Sequence, residues 1–189
     1  VQNYDIEAYT DSDFEVIKAL ASYVAIAISN AQKKNIIIEK ANELEFLSYN
    51  DPLTGLLNRR SFSQRINTLI NNPVFMPIGL VIGDMNFLKD INDRHGHMIG
   101  DHYLVAISEV MKKHAGNSPV YRLGGDEFAI IVVNTNEDEM KQLEEEIKKT
   151  CSETVLSAGC LSISLGFYIQ TEPTKLSDDL FSKAESAMY

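Results

Sequence analysis

Residues 120–133 read V-Y-R-L-G-G-D-E-F-A-I-I-V-V, and the way this stretch folds decides the rest of the chain. Two apolar runs of strand length, Val120 to Leu123 and Phe128 to Val133, are separated by Gly124-Gly125-Asp126-Glu127. Glycine and aspartate between β-branched runs signal a tight hairpin, because they accept the positive φ that joins two right-twisted strands. Upstream, Ile78 to Gly83 (I-G-L-V-I-G) is apolar without alternation, as expected of a strand buried on both faces and ending at Asp84. Downstream, Leu161 to Tyr168 supplies a further strand. The sequence also predicts a helix capped by Asn58 and running to about Asn71, a short helix over 86–94 and a helix capped by Asp101 and running to about Ala115. A charged helix over 137–150 and a last one opening at Ser177 follow. Strands alternating with helices, plus one hairpin, predict an α+β fold with a split βαβ sheet.

The N-terminal part reads differently. From Asp11 to Tyr49 there is no Gly or Pro, Thr10, Asp11 and Ser12 are candidate caps, and Asp13 and Glu15 sit where a helix dipole favours acids. Ile17, Ala21, Val24, Ile28 and Ala31 recur alternately four and three apart, which draws a seam along one helix face. Asn35 and Ile38 continue that register, Asn42 breaks it, and Leu44, Phe46 and Leu47 resume on a shifted face. Such a helix is either a core element or one that pairs with its own copy. Its length favours pairing, since globular helices mostly run about 8–20 residues. Asn50-Asp51-Pro52 ends it, because a residue preceding proline is pushed out of the helical region.

The 189 residues carry 17 Lys+Arg against 27 Asp+Glu, a formal charge of −10, with 44% apolar residues. This composition supports a real core without disulfides. The acidity argues against binding a nucleic acid polymer, yet leaves room for a nucleotide held through a divalent cation. Cys151 and Cys160 are too few for a disulfide scaffold and fit a cytoplasmic location. No apolar run approaches the roughly 18–20 residues of a membrane span, so no membrane contact is expected in this segment. Beginning at Val1 without a start Met, the sequence reads as an excerpt.

Asp84 closes a buried strand, while Asp126 and Glu127 occupy a glycine-rich turn. If those strands are neighbours, three carboxylates converge at one sheet edge, a hard-oxygen donor set for Mg²⁺ in nucleotide chemistry. Spacing alone leaves open the simpler reading, in which acids at turns are merely solvated.

Arg122-Leu123-Gly124-Gly125-Asp126-Glu127-Phe128 resembles the signature of GGDEF-domain diguanylate cyclases. Four further blocks resemble the same family in order: 51–60 (D-P-L-T-G-L-L-N-R-R), 84–101 (D-M-N-F-L-K-D-I-N-D-R-H-G-H-M-I-G-D), 164–166 (S-L-G) and 184–189 (A-E-S-A-M-Y). Residues 13–31 resemble the closing helix of a GAF sensor domain. The resemblance implies residues 1–34 as a GAF-like remnant, 35–50 as a helical linker and 51–189 as the catalytic domain. It implies a palm-like, class III nucleotide cyclase-like (ferredoxin-like) sheet that condenses two GTP into cyclic di-GMP and two pyrophosphates. The alternative is a GTP-binding regulatory module without turnover.

By position, the resemblance implies that Asp84, the Met85 carbonyl and Asp126 hold Mg²⁺ (or Mn²⁺), and that Asp126 or Glu127 accepts the hydroxyl proton. Asn92 and Asp101 would hydrogen-bond guanine, Leu88 and Leu104 would line its pocket, and His97 would contact substrate. Lys89 would sit near the transferring phosphate, and Gly124 and Gly125 would let the backbone approach the ligand. Two domains would face each other in a homodimer held through the 11–49 helix. Three departures stand out. Asn86 and Leu88 replace the family's usual Asp and Phe; Ala115-Gly116-Asn117-Ser118 lacks the Arg and Asp of its R-x-x-D feedback site; and the sequence stops at Tyr189, before the family's A-K-x-x-G-R tail, whose Lys and Arg would bind the triphosphate, so that weak or absent turnover is expected of the sequence as it stands.

Overall fold

The structure is a computed structural model describing residues 10–174 and 177–188; residues 1–9 of the expected N-terminal remnant lie outside the described residues, and the last helix, expected to be still running at the end of the sequence, stops at Ser186. The chain divides into two compact units, Val1–Phe46 and Leu47–Tyr189.

Helix α1 spans Asp11–Tyr49, as its caps predict. Thr10 and Asp13 form a reciprocal box: the Asp13 carboxylate accepts the Thr10 N–H at 2.8 Å and hydroxyl at 2.7 Å, and Thr10 Oγ1 accepts the Asp13 N–H at 3.3 Å. None of its residues is buried, and Ile17, Val24 and Ile28 of the seam are each more than half exposed. Val16, Leu20, Tyr23 and Ile26 are equally exposed, so the apolar surface is broader than a two-position seam. One expectation is corrected here. An 18-residue window of α1 has a mean hydropathy of 1.3, so by length and composition this helix is apolar enough to cross a membrane. The helix still holds no unbroken apolar run of that length, because Glu15 and Lys18 as well as Ser22, Ser29 and Asn30 interrupt it.

In the second unit, β1 (Leu57–Asn58), α2 (Arg59–Leu69) and a 3₁₀ turn (Pro73–Phe75) precede the central strand β2 (Ile78–Met85). Helices α3 (Leu88–His95) and α4 (His97–Ala115) lead to the hairpin β3 (Val120–Gly124) and β4 (Glu127–Val133). Helix α5 (Glu137–Glu153), the small hairpin β5 (Val155–Leu156) and β6 (Gly159–Cys160), β7 (Ile163–Gln170) and α6 (Ser177–Ser186) complete it. The main sheet runs β1-β3-β4-β2-β7. Strand β2 is antiparallel to both β4 and β7, and β4 is antiparallel to β3. Strands β2 and β3 therefore run the same way with β4 between them, the split βαβ arrangement. The edge strand β1 is parallel to β3, which makes the sheet mixed.

The sheet is buried on both faces, which accounts for the unbroken apolar run of β2. Val81 and Met85 point into a core with Tyr103, Leu104 and Ile107 of α4 and Met140 and Ile147 of α5. Ile78, Leu80 and Ile82 point into a second core with Phe62, Ile66 and Leu69 of α2 and Leu180 and Ala184 of α6. Each such aliphatic side chain contributes on the order of 1.5–3 kcal/mol by leaving water.

Asp101 does not cap a helix. Gly96, at φ 84°, ends α3, and its carbonyl accepts the Ile99 N–H at 3.1 Å and the Gly100 N–H at 3.4 Å, so α4 is already under way at His97. Asp101 lies one turn inside it. Strand β7 begins and ends two residues later than expected, and β5 and β6 are too short to carry a periodic signal.

Candidate active site

Asp84, next to last in β2, is the register partner of Glu127, the first residue of β4. Asp126 lies in the turn immediately before, and the Met85 N–H donates to its carbonyl at 3.0 Å. The turn is tighter than the sequence predicts, with Gly125 and Asp126 between the strands and a bulge between Arg122 and Gly124. Gly124 (φ 144°) and Gly125 (φ 55°) are both in conformations that disfavour a Cβ.

Two arginines that the sequence reading did not single out brace this turn. Arg122 donates from Nε at 3.0 Å and Nη2 at 2.6 Å to the Gly125 carbonyl, and from Nη1 to Asp51 at 3.0 Å. Arg59 donates from Nε to the Leu123 carbonyl at 2.8 Å and from Nη2 to Glu127 at 3.0 Å. Their place in two motif blocks was legible; their bonds, which join segments more than sixty residues apart, were not.

Burial, then the neighbouring charges of Asp126 and Glu127, push the Asp84 carboxyl up to about 6. The three acids therefore converge electrostatically, as adjacency of β2 and β4 requires. Yet among the described residues no group of three or more His, Cys, Asp or Glu is arranged to hold a metal ion by itself. Glu127 is held by Arg59 at 3.0 Å. Asp84 and Asp126 remain as hard anionic donors, and a cation here would complete its shell with backbone carbonyl and ligand oxygens. The donor set fits Mg²⁺ or Mn²⁺ on those terms.

Helix α3 starts beside these acids in an unusual way. Phe87, at its N-cap, has a left-handed backbone (φ 64°, ψ 16°) and its side chain makes no capping hydrogen bond. The first-turn amides are thus left for an anion, which the helix dipole also favours. No sequence signal announces a left-handed phenylalanine.

Helices α3 and α4 meet closely. A Cβ on Gly100 would lie 2.0 Å from Asn92 Oδ1 and 3.1 Å from Leu88 Cδ1, so this crossing brings Leu88, Asn92 and Gly100 together. Asn92 Oδ1 is buried with no hydrogen-bond partner, an orphaned acceptor that a ligand N–H would satisfy. Leu104 is 3% exposed in the core against which the half-buried Leu88 packs. Lys89, His97 and Asp101 are exposed on α3 and α4. Elsewhere, Asn117 of the departing 115–118 segment shares a cavity of about 560 Å³ with Arg65, so that face does hold one guanidinium.

Comparison with known proteins bears on this geometry. The family described as "Diguanylate cyclase, GGDEF domain" matches residues 48–189. An uncharacterized protein in the hutH 5′ region of Streptomyces griseus is 31% identical over 186 residues, covering 95% of this chain and 73% of that protein. Diguanylate cyclase DgcN of Escherichia coli is 40% identical over 104 residues, 54% of this chain but 24% of DgcN. The coiled coil and GGDEF domain of DgcB from Caulobacter crescentus, solved with c-di-GMP, superposes with a TM-score of 0.75 over 90% of this chain and 93% of that one, at 23% identity. The fold is the cyclase-like palm of GGDEF domains, preceded by a long helix. The chain belongs to the GGDEF-domain diguanylate cyclase family.

Proposed function

We propose that this chain condenses two GTP molecules into cyclic di-GMP, releasing two pyrophosphates. The observation that carries the reading is the convergence of Asp84 and Asp126 beside the uncapped start of α3, strong enough to raise the Asp84 carboxyl to about 6. Asp84, the Met85 carbonyl and Asp126 would hold Mg²⁺ or Mn²⁺, which when bound acidifies the attacking 3′-hydroxyl and offsets charge on the α-phosphate.

The remaining steps belong to the chain's own groups. Asp126 or Glu127 accepts the 3′-hydroxyl proton, and Arg59 keeps Glu127 oriented at the strand end. Asn92 Oδ1 and the Asp101 carboxylate accept from the ring N–H and amino group of guanine, selecting it over adenine. Leu88 and Leu104 flank the base, His97 contacts the substrate, and Lys89 with the α3 amides receives the phosphates. Gly124 and Gly125 let the backbone come near. Because each domain offers one such site, the product requires two domains face to face, brought together by pairing of α1. In the same reading residues 1–34 end a GAF-like sensor, 35–50 link it to the catalytic domain 51–189, and the protein works in the cytoplasm.

The test is incubation with GTP and Mg²⁺ followed by chromatography. Cyclic di-GMP supports the reading. Tight GTP binding without product assigns the chain to a regulatory nucleotide-binding module instead.

A further inference from the structure

Asn86 follows the Asp84–Met85 pair and precedes Phe87, and none of the roles above falls on it. Both polar atoms of its side chain are nonetheless engaged. Nδ2 donates to Ser162 Oγ at 2.9 Å, and Ser164 Oγ donates to Oδ1 at 2.9 Å. Its backbone N–H donates to the Ser162 carbonyl at 3.0 Å. Ser162 lies just before β7, and Ser164 is the register partner of Asp84 itself. Three hydrogen bonds thus tie one loop residue to β7 and the residue just before it, beside the expected metal ligands.

We propose that Asn86, with Ser162 and Ser164, is a positioning clamp for the cyclase reaction: it fixes the backbone between Asp84 and α3, and with it the Met85 carbonyl and the first-turn amides of α3. The inference rests on the cyclase reading. The segment it holds needs such support, because the left-handed backbone of Phe87 is unfavourable for a bulky side chain and persists only where its surroundings over-determine it. Phe87 is 68% exposed, so packing of its own ring supplies little of that support. The clamp next to Phe87 does.

The choice of an amide has a consequence for charge. Asn86 satisfies both serines while remaining neutral, so the clamp adds no fourth carboxylate beside Asp84, Asp126 and Glu127. A carboxylate at this position would keep the geometry, since both serine hydroxyls can rotate to donate to it. Asn86→Asp is therefore the conservative replacement, and Asn86→Ala removes both side-chain bonds.

The experiment compares the unsubstituted chain with Asn86→Ala, Asn86→Asp and the double variant Ser162→Ala/Ser164→Ala. Amide hydrogen exchange is followed over residues 85–90 without ligand, and initial rates are measured across GTP concentrations with Mg²⁺. Asn86→Ala and the serine double variant should speed exchange about tenfold in 86–90 while leaving β4 and α4 unchanged. They should lower kcat about tenfold with KM shifted less than about threefold, the signature of misplaced reacting groups rather than lost binding. Asn86→Asp should restore both readouts to within about threefold. Combining Asn86→Ala with the serine double variant should cost no more than either alone, as for groups acting through one network. Exchange that is unchanged in Asn86→Ala, faster throughout the domain, or equally fast in Asn86→Asp would overturn the clamp. Absence of product from the unsubstituted chain would instead overturn the cyclase reading, while the exchange pattern still decides whether the clamp exists. Should Asn86→Ala fail to fold, Ser162→Ala alone carries the same exchange test.

Discussion

Arg122 and Asp51 form a half-buried ion pair at 3.0 Å that joins the residue closing α1's exit turn to the hairpin carrying Asp126. Burial pushes the Asp51 carboxyl up, but hydrogen bonds from Thr54 and Arg122 outweigh it and hold it below the usual carboxylate range. The same guanidinium grips the Gly125 carbonyl, so a single planar group aligns two segments. Lysine keeps the charge but not the fork. Arg122→Lys should destabilise the domain by about 1–2 kcal/mol in urea unfolding, more than a surface Arg→Lys change. A loss below the error of the measurement would mean that the brace contributes nothing to the fold.

The acid cluster sets a pH dependence. Asp84 is pushed from its ordinary 3.8 to about 6 by burial and then by Asp126 and Glu127. Between those values the folded chain holds a proton that the unfolded chain has released. Its contribution to stability is thus present below about pH 4 and lost as pH rises through about 6. A divalent ion binds the ionised form, so Mg²⁺ should raise Tm more near pH 7.5 than near about pH 5. Asp84→Asn should abolish that difference. An equal Mg²⁺ effect at both pH values in the unsubstituted chain would place the ion elsewhere.

Gly100 leaves room for Asn92. In Gly100→Ala the new Cβ would fall 2.0 Å from Asn92 Oδ1, forcing the amide out of place. GTP affinity should drop about tenfold or more, since a misplaced acceptor forfeits roughly one good hydrogen bond. Calorimetry checks this, and affinity unchanged within about twofold would remove Asn92 from the base site.

The exposed face of α1 should be covered in solution by a second copy. Replacing Val24 and Ile28 together with Asp should convert a dimer into a monomer in light scattering, because charges cannot enter an apolar helix seam. A dimer that survives the double change would place the association surface elsewhere.

Much of this was legible in consecutive residues. The hairpin after Leu123, the strand at Ile78 and the uninterrupted helix to Tyr49 all carry strong local signals, and Asn58 caps α2 by accepting the Ser61 N–H at 3.0 Å. What lay beyond reach was non-local or too short. The meeting of Asp84 with Glu127 depends on strand order, which no local pattern fixes. The start of α4 at His97 depends on the positive φ of Gly96, and the β5–β6 hairpin has two residues per strand. The bonds of Asn86 exist only because a segment more than seventy residues away lies against it, and the orphaned Asn92 oxygen appears only where α3 and α4 cross.

Whether Asp84 and Asp126 form the metal-dependent centre of a diguanylate cyclase is decided by following pyrophosphate and cyclic di-GMP together from GTP and Mg²⁺. The unsubstituted chain and Asp126→Asn are compared side by side. The unsubstituted chain should release two pyrophosphates per cyclic di-GMP, and Asp126→Asn should lose at least about a hundredfold in rate with its thermal stability retained. Near-normal product formation by Asp126→Asn would contradict that assignment.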